Sequence, residues 1–445
     1  MSLAPWAWER ARQLLVSPPG PSEPAPGSLT ELLDAIDGAH HAAVPTPAPV
    51  AVSAGAAAPG PIGGGPECTD QRLIQRLSAS GLALLECDLQ PQGQEQLRRA
   101  ADGARARLAG ETVTYVVNRN LNVSNHCSQH CSFCAFRRDP GQPGAYWLER
   151  AELQRRAAEA QAVGASELCV QGGLNPAATH HGSFTAYAEQ LLLDLHAAAP
   201  GIHLHAFSPQ ELLFLAEGDG LPLKEVIERL KAAGLGSVPG TAAEVLTERV
   251  RRVLCPEKLS ARAWCAVILQ VHAAGLASTA TLMAGHIEAP ADRVAHLLTL
   301  LALQRHAQRQ GWPGFSEFVL LPFVGQAAPA ALRQRVGRGQ PDLMAMLRLT
   351  AQARLLLGPA FVNHQPSWVK LTLAGAGEAL RWGCNDLGGT LMEEHITTMA
   401  GAQGGTCQSP QALEAAARRL GRPVRRRTTL YGPAPWQAAP SELPV

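Results

Sequence analysis

From residue 112 onward, short β-rich runs recur between amphipathic helical stretches, and that alternation limits the chain to folds in which helices join parallel strands. The runs are "TVTYVV", "ELCVQGG", "IHLHAFS", "LGSVPG", "STATLMAG", "FSEFVLLPF", "SWVKLTL" and "NDLGGTL". After the first, Leu153, Ala157 and Ala160 share one stripe of a helix expected over about 149–163, which Gly164 ends. Eight such units over roughly 290 residues fit an α/β fold of the (β/α)8 TIM-type barrel. A doubly wound open sheet is the alternative. In a barrel the loops after the strands gather on one face, where chemistry is expected.

The parts before the barrel read differently. "MSLAPWAWERARQLL" contains Glu9 and no continuous apolar run, so it is expected to be a helix rather than a signal peptide. Residues 43–66 are Ala, Pro, Gly and Val without large anchors, the composition of a linker. The expected organisation is an N-terminal helix and linker over 1–66, a helical lead-in over 67–111, the barrel over 112–405, and a C-terminal helix and tail over 406–445. Thirty-eight basic against 37 acidic residues set up no long-range field, which argues against nucleic acid or a membrane surface as partner. No stretch reaches the length of a membrane span. Ten cysteines in 445 residues are too sparse for a disulfide scaffold, and clustered thiolates need reducing surroundings, so a cytoplasmic location is expected.

The loop after the first run, "NVSNHCSQHCSFCAF", holds Cys127, Cys131 and Cys134 at spacing C-x3-C-x2-C. Three thiolates suit three irons of a cubane cluster, leaving the fourth open to a small molecule. A Cys3His zinc site that borrows His126 or His130, or simple packing, are the competing readings. Phe133 would wall the cluster from solvent. Gln171, Gly172 and Gly173 end the second strand as either a ligand-facing backbone or a tight turn. His203 and His205, two apart with Phe207, would share one strand face and bind substrate or move protons, unless they are hydrogen-bonded core histidines.

Ser237, with Thr241 and Glu244 in the following helix, would position a ligand, although Thr241 also suits a helix cap. His286 with Glu288, and Asn385 with Asp386, sit at strand ends and are candidate substrate contacts against surface-turn readings. Cys68, Cys87, Cys169, Cys255, Cys265, Cys384 and Cys407 lack ligand spacing and read as incidental thiols. The arginine run "RRLGRPVRRR" from residue 418 reads as a solvated, unstructured tail.

C-x3-C-x-F-C with a downstream QGG resembles the radical S-adenosylmethionine superfamily. The segments "NRNLNVSNHC", "CAFRRDPGQPGAYWL", "IHLHAFSPQEL", "GLGSVPGTAAEVL", "LCPEKLS", "TATLMAGHIE" and "NDLGGTLMEEHITTMAGA" further resemble the CofH family, the tyrosine-using half of deazaflavin (FO) synthase. The resemblance covers about residues 70–431. It implies a [4Fe-4S] cluster on the three cysteines, with S-adenosyl-L-methionine on the open iron. Gln171–Gly173 would face its methionine amino group and Phe133 its adenine. It further implies L-tyrosine and 5-amino-6-(D-ribitylamino)uracil as substrates, an external one-electron reductant, and a CofG-like partner enzyme that closes the deazaflavin ring. The reaction so implied cleaves tyrosine with an adenosyl radical and transfers its 4-hydroxybenzyl fragment to the uracil, releasing 2-iminoacetate. A futalosine-pathway menaquinone enzyme and an iron–sulfur electron carrier are the alternatives.

Overall fold

The computed structural model describes residues 28–42 and 66–434. The helix expected in residues 1–15 and nearly all of the proposed linker lie outside the described residues, as do residues 435–445 and the side chain of Cys68. Helix α1 (Leu29–Ala42) was not anticipated; it buries Leu32, Ile36 and Ala39. α2 (Pro66–Glu86) and α3 (Pro91–Ala109) form the helical lead-in. α1 packs on α2, while α2 and α3 pack on barrel helices α10 (Pro290–Gln310) and α12 (Leu343–Leu357), respectively. Leu73, Ile74, Leu77 and Leu84 of α2 and Leu97 of α3 are fully buried in these contacts. The lead-in is therefore continuous with the barrel core.

The main sheet has seven parallel strands in chain order. They are β2 (Asn118–Asn122), β3 (Glu167–Gln171), β4 (His203–Ala206), β5 (Leu235–Val238), β6 (Ala277–Ala284), β7 (Phe315–Pro322) and β8 (His364–Pro366). "TVTYVV" supplies the separate strand β1 (Val113–Val116), so the strand leading into the cysteine loop is the polar "NRNLN". Its alternation explains how asparagines can build a barrel strand: Asn118, Asn120 and Asn122 face the interior cavity. Outside, Leu121 is buried and Arg119 bonds Glu159 (3.0 Å) and Glu393 (2.6 Å).

Strand β9 (Asp386–Gly389) and its flanks close the barrel. Asn385 N–H donates to His364 O on β8 (3.2 Å), while Thr390 N–H donates to Val116 O (3.1 Å) and Asn120 N–H to Met392 O (2.9 Å). β1 lies between β9 and β10 (Val424–Arg426) in a parallel three-stranded sheet. "NDLGGTL" is thus the eighth strand of the wall, as expected.

Two further expectations fail here. "SWVKLTL" is not a strand. It opens helix α13 (Trp368–Ala379), and the strand is the preceding His364–Pro366. The helix is broken at Thr372 (φ 63°), so Trp368, Val369 and Leu371 are buried from a single first turn and Ala376 and Ala379 from the part after the break, a pattern that a seven-residue apolar run does not reveal. Nor is the arginine run a solvated tail. It runs from the last residue of α14 (Pro410–Arg418) through β10, and Arg422 is buried with its guanidinium donating to Leu380 O (3.0 Å), Cys384 O (3.3 Å) and Glu111 O (3.0 Å). These carbonyls are remote in sequence, so the run carries no local sign of them. Among the described residues no helix is long and apolar enough to cross a membrane.

Candidate active site

A cavity of about 420 Å³ runs through the barrel interior and opens at the cysteine loop. Cys127, Cys131 and Cys134 line it, along with Phe133. Backbone bonds set the loop: Cys127 N–H to Arg138 O (3.3 Å), Ser128 N–H to Leu174 O (2.9 Å), Ser132 N–H to Leu254 O (2.9 Å) and Cys134 N–H to Cys131 O (3.1 Å). All three thiols are free and half-buried. Burial pushes the Cys131 thiol up to about 12, so binding a metal there would have to displace its proton. Lys258 provides compensating positive charge. Its Nζ lies 2.7 Å from Glu244 and 5.3 Å from the Phe133 ring centre; burial disfavours the ammonium, but Glu244 and Cys131 hold its pKa raised.

Neither His126 nor His130 lines this cavity; His130 is instead turned toward Glu257 (3.4 Å) and Asp139 (3.8 Å). Among the described residues, no three His, Cys, Asp or Glu side chains converge as a single-ion site. The zinc reading therefore lacks its tetrahedron. A cubane binds its cysteines at separate irons and does not ask for that convergence, so the triplet fits it.

Gln171, Gly172 and Gly173 also line the cavity, and the glycines' reason is now visible. A Cβ at Gly173 would overlap the His126 carbonyl, 2.7 Å from its carbon, and stand 2.9 Å from Cys127 Cβ. The glycine is needed for close approach of the cysteine loop rather than for turn conformation. Gly173 N–H donates to Ser124 O (2.7 Å) and Gly172 N–H to Glu211 Oε1 (3.2 Å). With the amides engaged, the turn offers carbonyl acceptors, which suit an ammonium.

The remaining candidates divide. His205 is buried and lines the cavity, whereas His203 does not. Ser237, also outside the cavity, bridges them, its Oγ 2.7 Å from both His203 Nε2 and His205 Nδ1. Burial pushes His205 down to about 4, leaving a neutral imidazole near pH 7. Glu244 lines the cavity but sits in a loop, not a helix: the next helix, α8 (Glu248–Leu254), starts four residues later, and Ala242 and Glu244 have φ of 64° and 45°. Met283 N–H donates to Glu244 O (2.9 Å) and pins that conformation. Thr241 faces the cavity instead of capping a helix.

His286 and Glu288 fall outside the cavity. Glu288 accepts from Gly285 N–H (2.7 Å), His286 N–H (2.9 Å) and Arg293, so the pair shapes a buried turn after β6. Asn385 and Asp386 likewise hold the closing strand. Asn385 Oδ1 accepts from Arg354 (2.9 Å) and His364 N–H (2.9 Å); Asp386 accepts from Arg427 (2.5 and 2.9 Å) and Thr114 Oγ1 (2.5 Å). Asp386→Ala is expected to destabilise the fold by about 3–5 kcal/mol by orphaning buried Arg427. The midpoint of denaturant unfolding measures this; unchanged stability with weakened substrate binding would restore the substrate role.

Sequence reasoning missed several cavity residues: Asn118, Asn120 and Asn122, Glu167, Glu211, Lys258, Glu317, Lys370 and Arg427. The asparagines did carry a signal, their two-residue spacing directly before the cysteine loop. Glu317 is buried on β7, and burial pushes its carboxyl up to about 7 despite nearby Arg427.

A parallel barrel with a cysteine triplet at its mouth defines a radical S-adenosylmethionine enzyme, and the model of the Radical SAM superfamily matches residues 121–301. Solved structures share the fold at low identity. HydG, a maturase of the [FeFe]-hydrogenase, matches with TM-score 0.61 over 96% of this chain and 79% of its own, at 13% identity. Methylornithine synthase PylB matches with TM-score 0.57 over 78% of this chain and 93% of its own, at 14% identity. Much nearer in sequence are a Synechocystis sp. protein, 56% identical over 79% of this chain and 90% of its own, and one from Gloeobacter violaceus, 58% identical over 77% and 87%. Both are named 5-amino-6-(D-ribitylamino)uracil--L-tyrosine 4-hydroxyphenyl transferase, and this chain belongs to their family.

Proposed function

We propose that this chain cleaves L-tyrosine and joins its 4-hydroxybenzyl fragment to 5-amino-6-(D-ribitylamino)uracil, releasing 2-iminoacetate. Relatives that are 56 and 58% identical and bear that transferase name support the substrates. The observation that carries the chemistry is the opening of all three triplet cysteines onto one deep cavity. A fully ligated electron carrier needs no such chamber.

Cys127, Cys131 and Cys134 would hold a [4Fe-4S] cluster, with S-adenosyl-L-methionine beside it against Phe133 and the Gln171–Gly173 turn. When bound and reduced by an external one-electron donor, the pair supplies a 5'-deoxyadenosyl radical. The protein's own work is positioning and exclusion. Val319, Leu321 and Phe323 give the cavity an apolar wall that limits water. Neutral His205, with Nδ1 engaged by Ser237, holds or accepts a proton at Nε2. Two substrates held in one chamber make fragment capture effectively intramolecular. The thiolate ligands favour the reducing cytoplasm, and a CofG-like enzyme would receive the product to close the ring.

Reconstituted protein should be incubated anaerobically with S-adenosylmethionine, reductant and tyrosine, with and without the ribityl uracil. Mass spectrometry should find the coupled product only when both substrates are present. Turnover of a futalosine-pathway precursor in place of tyrosine would overturn the assignment.

A further inference from the structure

The cavity reaches far below the cysteine loop. Asn118, the first residue of β2, pairs in register with Glu167, the first of β3, whereas Asn122 pairs with Gln171 near the cysteines. Four residues of strand separate these levels, about 13 Å of depth. Around the lower levels the cavity is lined by Asn118, Asn120, Glu167, His205, Glu317 and Arg427. Asn118 Nδ2 donates to Glu167 (2.7 Å), and Arg427 is fixed by Asp386 (2.5 and 2.9 Å), so this layer is built and rigid.

Several oxygens along the cavity nevertheless lack partners. Asn120 Oδ1, Asn122 Oδ1, Glu317 Oε2 and Thr429 Oγ1 are buried without a hydrogen bond, on cavity-lining residues that are only 5–8% exposed. Buried polar atoms seldom stay unpaired, and these oxygens suit a ligand bearing several donors. The charge pattern restricts what it is. Glu167 and Glu317 oppose an anion such as a phosphate, and the charge of Arg427 is already neutralised by Asp386. A neutral polyol suits this lining, because every hydroxyl both donates and accepts. The tyrosine phenol offers a single hydroxyl, and a bare pyrimidine does not span the depth.

Resting on the transferase reading above, we infer that Glu167, Glu317, His205 and Arg427, with the β2 asparagines, form the subsite for the ribityl chain of the uracil substrate. The ring then points up toward the cysteine loop, and the polyol chain reaches down to the strand starts. The subsite would select uracils by their chain.

Calorimetry on reconstituted enzyme with S-adenosylmethionine should compare 5-amino-6-(D-ribitylamino)uracil with 5,6-diaminouracil, which keeps the ring and lacks the chain. Wild type is expected to prefer the ribityl compound by tenfold or more, and Glu317→Gln to lose about tenfold for it alone, the upper range of one hydrogen bond. Glu167→Gln provides a second variant, and an unchanged melting temperature verifies each fold. Equal affinity of wild type for both uracils, or equal weakening of both by each variant, would overturn the subsite while labelled tyrosine still reached the uracil product. Failure to bind either uracil, with tyrosine left intact, would overturn the transferase reading as well.

Discussion

Alanine at any one of Cys127, Cys131 or Cys134 is expected to remove the iron–sulfur charge-transfer absorbance and reduce turnover by more than the roughly 100-fold that loss of a supporting group costs. Each cysteine lines the mouth of the same cavity, and each would serve a separate iron, so no thiol can replace another. Wild type should bind about four irons per chain after reconstitution. Cys265→Ala is the matched control: Cys265 is fully buried and does not line the cavity. It should keep the chromophore. Retention of absorbance and iron in the three loop variants would refute the ligand assignment.

Gly173→Ala is expected to lose cluster incorporation although every cysteine remains. The new methyl group would collide with the His126 carbonyl and Cys127 Cβ, backbone and ligand positions that cannot yield as a flexible side chain does. Overpacking of this kind costs about 1–3 kcal/mol, and here it acts by displacing the first ligand. Gly172→Ala is the milder comparison, because its nearest contact is Ser124 O at 3.3 Å. Iron content and absorbance after reconstitution should fall sharply for Gly173→Ala and less for Gly172→Ala, with both variants folded by circular dichroism. Full iron loading of Gly173→Ala would show that the close approach does not set the loop.

What could be read in advance was local. The cysteine triplet is contiguous, the Leu153–Ala157–Ala160 stripe repeats at helical spacing, and both emerged in the structure as expected. Eight strands do form the wall, although its first is "NRNLN" rather than "TVTYVV" and β8 lies upstream of "SWVKLTL". What stayed hidden depends on distant partners. Nothing near Arg427 announces Asp386, which lies 41 residues earlier. Acids at strand ends look alike in sequence, yet Glu288 is consumed by its own turn while Glu317 faces the cavity. Asparagine is depleted in strands, so "NRNLN" did not register as one, although its period of two was present.

The central claim is most directly tested by the fate of labelled tyrosine under anaerobic turnover with reductant, S-adenosylmethionine and the ribityl uracil. Ring-labelled tyrosine should pass its label to the uracil adduct, whereas carboxyl-labelled tyrosine should leave its label in 2-iminoacetate and the glyoxylate formed from it by hydrolysis. Carboxyl label retained in the uracil adduct, or tyrosine recovered intact from enzyme that still cleaves S-adenosylmethionine, would contradict the account.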